Sequence, residues 1–101
     1  MAPERRRQRR IPVRIDAYWK NCTKAGLAQV SNLSLGGCRL TSNLPLKMGD
    51  YTVLTIYFGS GGSVTLEGRV VSVGSKGFGV RFDNVTEMLK YQITEAMQPF
   101  N

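Results

Sequence analysis

The sequence has no histidine, two cysteines and one tryptophan. It also has no apolar run near the about 18 residues that a membrane-spanning helix needs. Each shortage removes a class of function. Two thiols without a histidine make a poor zinc site. Without histidine there is no ordinary catalytic triad and no cysteine–histidine dyad. No pair of carboxylates converges in the pattern, so an enzyme is not expected. The charged amino end is not followed by an apolar segment, so a secretory signal is not expected either. Cys22 and Cys38 read as reduced thiols in an intracellular protein.

What is present is a single small domain. The 101 residues are 42% hydrophobic, enough for one modest core. The net charge is +7, and it is uneven. Residues 1–10 carry five arginines against Glu4, or +4, and residues 11–101 carry nine Lys/Arg against six acids, or +3. An anionic partner therefore meets the amino end first.

From Ile11 the chain alternates, with Ile11, Val13, Ile15, Ala17 and Trp19 on one side. That is the period of a half-buried strand. Asn21 to Gly26 reads as a turn, Leu27 to Ser31 as a second strand, Asn32 to Gly37 as a break and Cys38 to Thr41 as a third strand. Tyr51 to Phe58 is β-branched and aromatic, the strongest strand signal. GSGG at Gly59 to Gly62 is a hairpin loop, followed by a long strand over Ser63 to Val73. Gly68 in that strand suggests a bulge or a barrel corner. Phe78, Val80 and Phe82 form the inward side of a sixth strand. The period then becomes helical, with Val85, Met88, Leu89, Ile93, Ala96 and Met97 on one stripe and Pro99 closing the segment. Asn84 and Glu87 have the spacing of a capping box. The fold expected is mainly β, a six-stranded antiparallel barrel over residues 11–101 with one C-terminal helix at about 84–97. Residues 1–10 are expected to be a flexible basic arm.

Two stretches carry chemistry. In the arm, arginines recur four apart as Arg5/Arg9 and Arg6/Arg10. A guanidinium can grip a phosphate in pairs of hydrogen bonds or lie flat on a purine. Taken alone, such a run is as easily a solvated tail. The second stretch is NLSLGG, Asn32 to Gly37. Asn32 can pair with a base edge, and Ser34 can donate to a phosphate or a base nitrogen. Gly36 and Gly37 let the backbone turn sharply beside a ligand. The alternative is a plain turn tied off by Ser34.

Taken together, RxxxR and (D/N)xSxxG, with GFGVRF at Gly77 to Phe82, resemble the PilZ domain family of receptors for the bacterial messenger cyclic di-GMP. The resemblance covers nearly the whole chain. It implies a six-stranded barrel with a C-terminal helix, no cofactor, no enzyme activity and a bacterial cytoplasmic setting. It implies that Arg6 and Arg10 contact phosphates and guanines. Arg5, just before the motif, would stack on a further guanine and favour two mutually intercalated ligand molecules. Asn32 and Ser34 would read a guanine from the opposite wall. Gly36 shapes the turn, Gly37 gives the ligand room, and Arg39 faces the same side as Gly37. A dianionic ligand would fold the self-repelling arm across the barrel and alter the surface shown to a protein effector or fused domain. Motility, exopolysaccharide and biofilm control are the family's outputs. No DNA or RNA partner and no membrane insertion are expected. Two other readings stay open. One is a basic barrel that binds single-stranded nucleic acid through Tyr18, Trp19, Tyr51, Tyr57 and Phe78. The other is a PilZ-like adaptor that binds no nucleotide.

Overall fold

A computed structural model describes residues 11–58, 61–75 and 77–97. Six strands run β1 (Ile11–Lys20), β2 (Ala25–Leu33), β3 (Gly37–Ser42), β4 (Tyr51–Tyr57), β5 (Ser63–Gly74) and β6 (Gly77–Asp83), and a helix α1 (Glu87–Met97) follows. They close into a barrel in the order β1-β2-β3-β6-β5-β4, and every pairing is antiparallel. Closure leaves no free sheet edge. The expected fold class is the one observed.

Alternation builds the interior. Ala17, Trp19, Val30, Leu33, Leu40, Leu54, Ile56, Leu66, Val70, Val80 and Phe82 are buried in one cluster. Trp19 is fully enclosed, and its indole N–H donates to Ser42 Oγ at 2.7 Å. Ile93 of α1 joins the same cluster, with Leu89 and Met97 packed beside it. The helix packs against β5.

Several local expectations are adjusted. β2 runs on through Asn32 and Leu33 instead of ending at Ser31, because both residues keep partners on β1 and β3. The alternation from Ile11 to Trp19 is interrupted. Between Pro12 and Ile15 β1 advances three residues while β2 advances two, which is a bulge. Gly68 has neighbours on both sides in β4 and β6, and the irregularity of β5 falls at Val70–Ser72. The helix is capped by Thr86, whose Oγ1 accepts from the Leu89 N–H at 3.2 Å. Asn84 instead takes φ 53°, a left-handed turn out of β6 that asparagine tolerates. Met88 points to solvent, 67% exposed, off the buried stripe. The proposed closing residue Pro99 lies outside the described residues.

Candidate functional site

The second motif sits where two register shifts meet. Across β2–β3, β2 advances from Val30 to Asn32 while β3 steps only from Leu40 to Arg39. The β1 bulge lies directly alongside, since Asn32 pairs with Pro12. Paired bulges of this kind re-aim side chains. Asn32 is half-buried, and its carboxamide makes no hydrogen bond among the described residues. Its donors and acceptor are therefore available to a base edge.

Beyond Leu33 the chain turns through Ser34–Gly37. Ser34 N–H donates to Gly37 O at 2.9 Å. The Ser34 hydroxyl also donates to Gly37 O, at 3.2 Å, and accepts from the Gly36 and Gly37 N–H groups, each at 3.2 Å. One donor and two lone pairs are then in use, the full capacity of a hydroxyl. Ser34 is 5% exposed. Its hydroxyl holds the shape of the turn. Gly36 O accepts from Phe82 N–H at 2.9 Å, which fastens the turn to β6. A Cβ on Gly37 would collide with the carbonyl oxygen of Val80. The absent side chain at Gly37 thus lets β3 lie close to β6.

The flank beside the turn is basic. On β3, Gly37 and Arg39 stand opposite Arg81 and Gly79 of β6, and Arg81 in turn stands opposite Arg69 of β5. The nearest carboxylate contact is weak, Arg69 to Asp83 at 4.0 Å. Neither Arg39 nor Arg81 has an ion-pair partner among the described residues. Arg39 lies in register with Asn32, but its guanidinium leans the other way. It crosses β6, and Nη2 comes 3.7 Å from where a Cβ would stand on Gly74. The structure therefore brings Asn32, Ser34, Gly36 and Gly37 together and directs the Arg39 head group away from Asn32. Arg81 was passed over in the sequence. Its signal was its outward place between the inward Val80 and Phe82 of GFGVRF.

At the end of this flank, Tyr51 donates to Glu67 at 2.5 Å and stacks near Arg69, 5.7 Å from ring centre to guanidinium carbon. The hydrogen bond to Glu67, then desolvation and the carboxylate charge, raise the Tyr51 phenol above its ordinary value. Among the aromatics considered for base stacking, Trp19 is core and Tyr51 is engaged in this way. Among the described residues no group of histidine, cysteine, aspartate or glutamate could hold a metal ion. No helix is long and apolar enough to cross a membrane, among the described residues.

Arg5, Arg6 and Arg10 lie outside the described residues. Ile11, the first described residue after them, pairs with Leu33, between Asn32 and Ser34.

A sequence model of the PilZ domain matches residues 4–97. None of the curated proteins matches the chain. Among solved structures, the PilZ domain of YcgR from Escherichia coli, with c-di-GMP, superposes with a TM-score of 0.79 at 20% identity, over 93% of this chain and 89% of its own. The PilZ domain of CeSA from a cellulose synthesizing bacterium gives 0.71 at 15% identity, over 88% of this chain and 94% of its own. The Bacillus subtilis inhibitor of motility MotI/DgrA gives 0.78 at 14% identity, over 94% of this chain but 50% of that one. At these identities the likeness is one of fold.

Proposed function

The chain belongs to the PilZ domain family, and on that footing we propose that it is a receptor for cyclic di-GMP. The observation that carries the reading is the β1–β2 register. Ile11 opposite Leu33 ties the arginine arm, by one peptide bond, to the strand end that bears the unpartnered Asn32 amide. Arg6 and Arg10 grip the phosphates and guanine faces of the ligand. Asn32 reads a guanine edge from the barrel side. Ser34, Gly36 and Gly37 hold the wall in shape, and the Ser34 hydroxyl contributes through the turn it closes. Arg39 joins by swinging back from Gly74. Arg5 stacks on a second ligand molecule, so the expected stoichiometry is two intercalated molecules per chain.

The ligand's two phosphates neutralise guanidinium groups that otherwise repel one another, and the neutralised arm closes over the turn. The signal is this change of surface, driven by the ligand's differential affinity for the closed form. A protein effector or a fused domain reads it, in a bacterial cytoplasm. No step breaks or makes a covalent bond.

Calorimetric titration with cyclic di-GMP tests the reading. Wild-type chain takes up the ligand with an endpoint near two per chain. Asn32→Ala weakens binding by about tenfold or more, from the ~1–3 kcal/mol of a bidentate contact to a base. Thr23→Ala, in the β1–β2 turn where Thr23 bonds Asn21, leaves it unchanged. Equal effects of the two variants would reduce the second motif to an ordinary turn. Uptake of arbitrary single-stranded oligonucleotides with a steep salt slope would favour the nucleic-acid reading instead. No uptake of either would leave the adaptor.

A further inference from the structure

The outer face of β2, β1 and β4 has a composition and symmetry that suit a second copy of the same face. Its middle row is Leu27, Tyr18 and Thr55, aligned across the three strands. Leu27 is 65% exposed and Tyr18 37%, although both lie in regular sheet. One row to one side stand Gln29 and Asp16, with Tyr57 one residue beyond the Ala17–Ile56 pair. One row to the other side stand Ala25, Lys20 and Val53. Asp16 and Lys20 are exposed, and neither has an ion-pair partner among the described residues.

We propose that this face is a homodimer interface, with a two-fold axis that lies between the two sheets and crosses β1 at Tyr18. Such an axis makes an isologous contact, in which each residue meets its symmetry mate or a fixed counterpart. β1 runs antiparallel to its copy. Tyr18 then faces Tyr18, Leu27 faces Leu27 and Thr55 faces Thr55 of the second chain. The two outer rows exchange. Asp16 faces Lys20, Tyr57 faces Val53 and Gln29 faces Ala25, each pair occurring twice. Leu27, Tyr18, Tyr57 and Val53 thus meet apolar or aromatic counterparts, and each unpaired charge meets its opposite. The other axis in this plane, along β1, sets Asp16 against Asp16 and Lys20 against Lys20. Charge alone selects between them.

This arrangement also keeps the basic segments apart. Ile11, where the arginine arm joins the sheet, is seven residues along β1 from Tyr18, about 20 Å at the usual rise per residue. The two arms enter from opposite ends of the dimer, about 40 Å apart and well beyond a Debye length at physiological salt. Asn32 lies at the same far end, opposite Pro12, so both candidate ligand sites stay open. The inference does not depend on what those sites bind. A curved barrel flank offers a small area, which fits a weak, concentration-dependent dimer.

Sedimentation equilibrium of the full chain, up to about 0.5 mM, reads the outcome directly. Wild type reaches twice the monomer mass at high concentration. Asp16→Lys sets lysine against Lys20 twice and weakens the dimer by about tenfold or more. The double exchange Asp16→Lys with Lys20→Asp restores the pairs and brings self-association back to within about threefold of wild type. Circular dichroism confirms that each variant folds. A wild-type chain that stays monomeric throughout overturns the proposal. So does a single variant that associates as well as wild type, or a double variant that fails to recover.

Discussion

Arg10→Ala is expected to lower cyclic di-GMP affinity by about 100-fold or more, and Arg6→Ala by a similar factor, with no change in melting temperature. The loss follows from charge-assisted hydrogen bonds, each worth about 1.5–3 kcal/mol, and a bidentate guanidinium makes two of them to a phosphate. Tenfold in affinity corresponds to about 1.4 kcal/mol. The fold is expected to be indifferent because both residues precede β1, whose paired stretch begins at Ile11. Among the described residues, the core that holds the barrel is made of Trp19, Leu33, Leu40, Leu54, Ile56 and their neighbours. Calorimetry and a melting curve on the same samples separate the two quantities. Unchanged affinity in both variants would remove the arm from the site. A fall in melting temperature that matches the affinity loss would make the arm structural.

Gly37→Ala is expected to act on the barrel and the site together. The added methyl would strike the carbonyl oxygen of Val80, a backbone atom that no rotamer change can move. β3 and β6 must part at the Gly37–Arg81 and Cys38–Val80 pairs. The Ser34 turn and its bond from Phe82 to Gly36 shift with them. A cost of about 2–3 kcal/mol is the upper part of the ordinary range for one substitution. In a domain of this size that lowers the melting temperature by roughly 10–20 °C. Ligand affinity falls as well, since the wall beside Asn32 moves. A melting temperature within about 2 °C of wild type would show that the two strands separate at little cost, and that glycine at position 37 matters for the ligand alone.

Much of the barrel was readable because burial imposes a period of two. Tyr51–Tyr57 announces itself by β-branched and aromatic residues, Ser63–Gly74 and Gly77–Asp83 by alternating apolar ones, and glycine-rich turns separate them. The weaker expectations fail where the period resets. The bulges beside Pro12 and Asn32 insert a residue without changing composition, so alternation read straight through from Ile11 misses them. β2 looked short because the polar Asn32 opens a glycine-rich stretch that reads as a break, yet Asn32 and Leu33 both continue the ladder, and Leu33 is buried in the core. The helix cap was assigned to Asn84 on side-chain type. The left-handed backbone at Asn84 leaves the capping hydroxyl to Thr86.

The site divides in the same way. The spacing of the arginines and of Asn32, Ser34 and Gly37 is visible in one dimension, and it was enough to suggest a shared anion site. The use of the Ser34 hydroxyl was not visible. Its partners are backbone groups two and three residues on, and the turn they form is fastened by Phe82 from the last strand. The lean of Arg39 toward Gly74 was hidden for a related reason, since it depends on β5 lying two strands away in space. The row of Asp16, Tyr18 and Lys20 was legible as an outward face. Its self-complementarity appears only when β2 and β4 are placed on either side.

The central claim is that the arginine arm and the Asn32–Gly37 turn close on one ligand. Titrating isotope-labelled chain with cyclic di-GMP, and following every backbone amide by heteronuclear NMR, tests this most directly. The account predicts that amides of residues 5–10 and 32–39 shift together and saturate at the same ligand ratio, while Thr23 and Leu27 stay still. Shifts confined to the arm, with Asn32 and its turn unmoved, would contradict it.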